Sequence, residues 1–137
     1  MLNLTTAIYG KLSGSDLADH IGTKLYKGRA PEDAVYPYIV FIIISQYPEK
    51  TYSEDFEVTH IQFSLFSSTS SSTEVENMYT DLKTLYDECA MTVTSSTWFY
   101  WMKRLNATLM VEDHTTRSGL IQAWHYAVDY EIMTLDS

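Results

Sequence analysis

The most apolar stretch of the chain runs from Tyr36 to Ile44, and we expect it to form the strand on which the fold is organised. Most of its residues are aromatic or β-branched, which suits a pleated surface, and an apolar run this short between turn residues predicts a strand buried on both faces. It is too short to span a bilayer. Pro37 has no N–H to donate to a neighbouring strand, so we expect it to mark the beginning of this strand.

Alternation of apolar and polar positions predicts further strands. Ile61, Phe63 and Leu65 point one way along a long strand, and the residues between them are polar. The segments Trp98 to Val111 and Leu120 to Ile132 alternate in the same manner. They predict a closing β-hairpin whose two strands are joined by a polar, turn-like segment.

The N-terminal part is predicted to contain two short helices. Apolar residues recur four positions apart at Leu4, Ile8 and Leu12, which is the spacing of one helix face. Ser15 is suited to cap a second helix, and Gly22 is suited to close it in a left-handed conformation. A short strand is expected directly after this second helix.

The strongest helical signal lies between Glu74 and Ala90, where apolar residues recur at helical spacing. Thr73 and Glu76 are placed to form a capping box at its start. The order of helix, strands, helix and strands predicts one α+β domain over residues 1–137. It would have an antiparallel sheet with an N-terminal helix and one long amphipathic helix packed on one face.

Aromatic residues are more numerous than one helix-on-sheet core requires, with eleven Tyr and three Trp in 137 residues. The polar segment Ser45 to Asp55 is predicted to be a long exposed connection. Four aromatic residues lie in this connection or at a predicted strand end: Tyr47, Tyr52, Trp98 and Trp101. Because amphipathic aromatic side chains are enriched at interfaces, we predict that these four contact another subunit or another protein. In the alternative interpretation they fill a large core.

The formal net charge of −9 argues against a grip on nucleic acid, which requires clustered Lys and Arg. Lys103 and Arg104 are the only adjacent basic residues. No signal peptide is visible, so we expect synthesis and folding in the cytoplasm. A single cysteine, Cys89, excludes an intrachain disulfide.

The sequence contains no catalytic or phosphate-binding motif and no Cys or His pair at metal-ligand spacing. We therefore predict no catalytic residue, no metal and no cofactor, and we do not expect an enzyme. A hydrolase remains an alternative, and its one candidate group is His60, His125 and Asp129 on neighbouring strands. Asp129 and Glu131 share one strand face, where two carboxylates could act as an acid-base pair. Because no cleft-forming motif accompanies them, we predict a solvated face instead.

Three segments follow one another in a recognisable order: Ala7-Ile8-Tyr9, Ile21 to Tyr26 and Ala30 to Phe41. In this order they resemble the tail completion or tail terminator proteins of long-tailed bacteriophages. A strand, an amphipathic helix near Glu76 to Cys89 and a closing pair of strands fit the same family. The resemblance covers nearly the whole chain and is sharpest from Ala30 to Phe41, where it includes no catalytic residue.

The resemblance implies a structural virion protein that forms a ring, usually a hexamer, at the head-proximal end of the tail. Such a ring stops polymerisation of the tail tube protein, joins the head-tail connector proteins and lets DNA pass through its channel. Asp129 and Glu131 are candidates for a channel face, because like charge repels phosphate. The aromatic run Trp98 to Trp101 and the long connection from Tyr47 to Tyr52 depart from a typical member. A small monomeric binding module is the other alternative.

Overall fold

The structure is a computed structural model that describes residues 2–31, 33–50, 54–93, 97–116 and 119–136. Its helices are α1 (Leu2–Leu12), α2 (Asp16–Ile21) and α3 (Thr73–Tyr86). Its strands are β1 (Leu25–Lys27), β2 (Tyr38–Lys50), β3 (Asp55–Ser67), β4 (Thr97–Thr116) and β5 (Gly119–Asp136). The strands form a five-stranded sheet in the order β1-β2-β3-β5-β4.

The sheet is mixed, and strands make up 53% of the described residues against 24% for helices. β1 runs parallel to β2, with Leu25 opposite Ile39, whereas the other neighbouring strands are antiparallel. The predicted α+β fold, with an antiparallel sheet and one long amphipathic helix packed on it, is therefore wrong. A strand of three residues carries too little pattern to indicate its direction, and the helices are all short.

The two hairpins are longer than the sequence pattern indicated. The segment Ser45 to Asp55, predicted as a connection, is mostly strand, because β2 continues to Lys50 and β3 begins at Asp55. In the same way β4 continues to Thr116, and β5 begins at Gly119. These extensions lie beyond the core, so they lack the apolar alternation that identifies a half-buried strand.

Helix α3 is 14 residues long and ends at Tyr86, four residues before the predicted end at Ala90. Asp87 already has extended backbone angles (φ −62°, ψ 122°). The N–H of Glu88 donates to the carbonyl of Met102 at 2.9 Å, which directs the chain onto β4. The predicted capping box at Thr73 is also absent, because the N-cap residue of α3 is Ser72.

Other local predictions are confirmed. The Ala18 N–H donates to the side-chain oxygen of Ser15 at 3.2 Å, which caps α2. Gly22 ends that helix with a φ of 62°, a value that favours glycine. β2 begins at Tyr38, directly after Pro37.

The core lies between the helices and one face of the sheet, which we call the helix-side face. Ile39, Phe41 and Phe63 are fully buried there. The Phe63 ring stacks on Tyr86 of α3 with the centroids 4.9 Å apart, and the Tyr86 hydroxyl donates to the carbonyl of Ile8 in α1 at 2.9 Å. A fully buried tyrosine thus keeps its polar end bonded while it joins two helices to the sheet. Further members of this core are Leu4, Leu12, Leu17, Ile21, Ile61, Leu65, Val75, Met78, Leu82, Val128, Tyr130 and Ile132.

The opposite face of the sheet, which we call the open face, has a different character. Alternation along the strands places Gln62 and Asp129 opposite each other on this face, and His60 opposite Glu131. The segment Gly28 to Pro31 lies over one end and encloses a cleft of about 360 Å³. The sheet therefore has an apolar face under the helices and a face whose centre is polar.

Candidate assembly surfaces

Both edges of the sheet leave strand backbone unpaired. β4 is hydrogen-bonded to β5 on one side, and no described strand pairs with its other side. At the opposite edge, β1 covers only Ile39 to Phe41, so the stretch of β2 from Ile42 to Lys50 has no described neighbour on that side. Unpaired strand edges present rows of N–H and C=O groups to which another chain can bind.

Each edge strand is bulged, and an exposed apolar side chain lies at every bulge. The register shifts at Ile44 in β2 and at Tyr100 and Leu105 in β4. Their exposed fractions are 53%, 47% and 51%, respectively. Bulges re-aim side chains, and charged side chains are a common means of protecting a free edge. The apolar residues at these bulges therefore favour contact with another protein surface.

Three of the four predicted interface aromatics can be placed on these edges. Tyr47 lies in β2 rather than in a connection; it is 43% exposed, and its ring meets His60 edge-on at 5.7 Å. Trp98 is 65% exposed at the start of β4. Trp101 is half-buried beneath the Lys103 ammonium, which lies 4.4 Å from the ring centroid. Tyr52 lies outside the described residues.

The candidate hydrolase residues do not come together. His60 lies opposite Glu131, whereas His125 lies opposite Phe66, at the far end of the same face. Asp129 accepts a hydrogen bond from the Gln62 side chain at 2.9 Å. The distance along the strands separates the two histidines, so they cannot share a metal or a proton.

Asp129 and Glu131 lie side by side in the middle of the open face, as their spacing predicted. Each is half-buried. On β4 their partners in register are Asn106 and Lys103. The centre of the open face is thus a band in which carboxylates alternate with amide and amine groups.

Sequence reasoning missed a second polar cluster, which lies around Glu112 at the other end of the open face. One Glu112 carboxylate oxygen is 3.0 Å from Nε2 of His114, and the other is 2.9 Å from Nδ1 of His125. The other ring nitrogen of His114 bonds to the Tyr36 hydroxyl, and His125 stacks on Phe66 with the centroids 4.4 Å apart. The cluster joins the β4–β5 hairpin to the segment before β2.

Hydrogen bonding decides the charge state of Glu112. Burial opposes ionisation of this carboxyl, but the hydrogen bonds with His114 and His125 outweigh it and hold the pKa of Glu112 below its ordinary value of 4.5. Burial also raises the pKa of Tyr36. The cluster therefore holds an ionised carboxylate between two imidazoles.

The signal for this cluster was present in the sequence. Glu112 and His114 are two residues apart and so share a strand face, and pairing of Thr116 with Gly119 brings Glu112 diagonal to His125. The polar composition of residues 112–119 predicts a turn instead of two paired strands, and this conceals the cluster.

Among the described residues, no group of three or more His, Cys, Asp or Glu side chains is arranged to hold a metal ion. None of the helices in the described part of the chain is long and apolar enough to cross a membrane.

Comparisons with known proteins find a similar fold among solved structures. No protein family and no curated protein matches the sequence. Among solved structures, the chain is similar to a chain from the virion of a native gene transfer agent (GTA) particle, with a TM-score of 0.65 and 10% sequence identity. The match covers 95% of this chain and 94% of that one. At this level of identity the likeness shows that the two chains share a fold.

Proposed function

We propose that this protein is a structural component of a phage-like virion. The observation that carries the proposal is the similarity of fold between this chain and a chain of a GTA virion, which spans almost the full length of both. The family resemblance between Ala30 and Phe41 supports the same conclusion from the sequence. The polar centre of the open face and the exposed apolar edges suit a protein that works in an assembly.

Within the virion, the proposed role is that of a tail terminator. The subunits form a ring, most simply a hexamer, at the head-proximal end of the tail. The ring contacts the tail tube protein on one side, stops its polymerisation and presents the head-joining surface to the connector proteins on the other. DNA passes through the channel of the ring.

Two features of the subunit support a ring with a channel. Head-to-tail rings require two different complementary patches on each subunit, and the free edges of β2 and β4 are two such patches. The channel requires a surface that does not bind phosphate. The acidic subunit, with its net charge of −9 and with Asp129 and Glu131 on the open face, meets that requirement.

Assembly of purified tail tube protein is the direct test of this function. Added in small amounts, the ring should bind tube ends and stop elongation, so tubes should be shorter than in its absence when seen by electron microscopy. Light scattering after size-exclusion chromatography should give a mass near a small multiple of 15.8 kDa, six times for a hexamer. Tubes of unchanged length at saturating protein would refute tail termination.

The alternatives gain less support. A hydrolase needs the converging His60, His125 and Asp129 that the fold keeps apart. A monomeric binding module would gather its exposed aromatics in one groove, but Tyr47 and Trp98 do not line the cleft beneath Gly28 to Pro31.

A further inference from the structure

We propose that neighbouring copies of this chain join edge to edge, with β4 of one subunit lying antiparallel against residues 42–50 of β2 in the next. The inference rests on the proposed ring and specifies its contact. The partner is a second copy of the chain, because each subunit carries one edge of each kind. The contact extends the sheet from subunit to subunit.

Strand direction supports this pairing. Within the sheet the antiparallel pairs β2-β3, β3-β5 and β5-β4 make β4 run opposite to β2. Subunits in a cyclic ring all have the same orientation relative to its axis. The β4 edge of one subunit therefore meets the β2 edge of the next in the antiparallel sense, which is the more stable arrangement.

The two edges also match in length and in apolar character. Residues 42–50 form the free stretch of β2, and β4 has no bulge from Asn106 to Thr116. Leu109 and Val111 in this regular part are 38% and 46% exposed, and Ile42 and Ile44 on β2 are 39% and 53% exposed. Leu109 and Val111 lie on the helix-side face and Ile42 lies on the open face, so antiparallel pairing gives each face of the contact exposed apolar side chains.

Charge is complementary at the other end of the contact. Lys103 lies early in β4, and antiparallel pairing turns it towards the tip of the β2–β3 hairpin, whereas Arg104 is held by Asp87 of its own subunit at 3.2 Å. That tip carries exposed Glu49, Asp55 and Glu57 against one lysine. Opposite charges across an interface fix its register and disfavour the reverse alignment.

Ring closure also explains how an apolar edge is tolerated. An open edge on each side would let the subunits polymerise without limit. In a closed ring every β4 edge is used by a β2 edge, and the bulges at Ile44, Tyr100 and Leu105 interrupt any longer ladder. No edge is then left for further addition.

Edge-blocking variants test this contact. Leu105→Lys with Val111→Lys blocks the β4 edge, and Ile44→Lys with Tyr47→Lys blocks the β2 edge. Each double variant alone should be a monomer by light scattering. An equimolar mixture should give a dimer, because one variant retains the β2 edge and the other the β4 edge.

The matched control is Leu120→Lys, an exposed apolar residue on the hairpin end beyond the proposed contact, and it should retain the ring. Circular dichroism and thermal melting establish that each variant is folded. If a double variant does not fold, the single changes Ile44→Lys and Leu105→Lys, at side chains that are half exposed, should each raise the ring's dissociation constant at least tenfold.

The outcomes separate this inference from the proposed function. If both double variants still form the ring, or if their mixture stays monomeric, the edge contact is refuted, but the proposed ring is not. A wild-type protein that remains a monomer at its highest soluble concentration overturns both.

Discussion

The two faces of the sheet use the same strands for different purposes. On the helix-side face, Phe41, Phe63 and Tyr130 are fully buried, and each large ring contacts another. On the open face lie the residues that alternate with these along the strands; they are polar or half-exposed, and the Gln62 side chain donates to Asp129. Since burial of apolar area is the main source of folding free energy, the helix-side face supplies most of the stability. The open face and the two edges remain available for assembly.

The largest effect is expected on the helix-side face. Phe41→Ala or Leu82→Ala removes a fully buried side chain and leaves a cavity, so each should reduce the free energy of unfolding by about 2–5 kcal/mol. That is a large part of a total of about 5–15 kcal/mol. Chemical denaturation measures it. The neighbouring Ile42→Ala, at a partly exposed position on the open face, is the control and should cost less than about 1.5 kcal/mol; equal losses would abolish the distinction between the faces.

A smaller effect is expected where a polar group is buried beside the core. The Tyr130 hydroxyl donates to one carboxylate oxygen of Asp87, and the other carboxylate oxygen accepts from Arg104 at 3.2 Å. Burial, and then this neighbouring carboxylate, raise the pKa of Tyr130, so the phenol remains a donor. Tyr130→Phe should cost about 1–2 kcal/mol, because Asp87 loses one partner and keeps the other.

The matched control for this change is Tyr47→Phe on the free edge of β2, where water replaces any lost contact. It should change the unfolding free energy by less than about 0.5 kcal/mol. An equal cost at both positions would mean that the hydrogen bond between Tyr130 and Asp87 does not stabilise the packing of the end of α3 on the sheet.

The same contrast explains what the sequence could predict. The apolar run from Tyr36 to Ile44 correctly predicted a strand, but this strand is not buried on both faces, because Ile42 and Ile44 are exposed. Apolar periodicity is produced by burial, so it correctly identified the buried half of β3 and the start of α3. It failed where burial ends: at residues 45–50 and 112–116, where strands are held by cross-strand hydrogen bonds rather than by a core, and at Asp87, where a polar bond to Tyr130 replaces a further helical turn. The free edges depend on the order of strands in the sheet, which the pattern along a single strand does not encode.

On the open face, the Glu112 cluster should make stability depend on pH in the acid range. The pKa of Glu112 is lower in the folded chain than its ordinary value of 4.5, so its contribution is fully present above about pH 4.5 and is lost as the pH falls through the folded pKa. Because the carboxylate is partly exposed, Glu112→Gln should cost only about 0.5–1 kcal/mol at pH 7.

This cost should disappear once the pH falls below the folded pKa of Glu112, where the wild-type carboxyl is also protonated. Denaturation at several pH values measures the difference between the two proteins. Asp113→Asn, the exposed neighbour on the other strand face, is the control and should follow the wild type. A constant difference at every pH would show that the loss comes from packing rather than from the carboxylate charge.

A similarly small effect on stability is expected in the centre of the open face. Asp129→Lys replaces a half-buried carboxylate whose neighbours in register, Gln62 and Asn106, are neutral, so the unfolding free energy should change by about 1 kcal/mol or less. If this face lines the channel, the same change repeats a positive charge around the ring. Linear double-stranded DNA should then be retained by the variant ring at low salt and released as salt rises, since phosphate binding is governed by counterion release. Asp113→Lys makes the same change of charge away from this band and should leave the ring without affinity for DNA. Equal retention by both variants would mean that net charge alone controls the interaction and that Asp129 does not face the DNA.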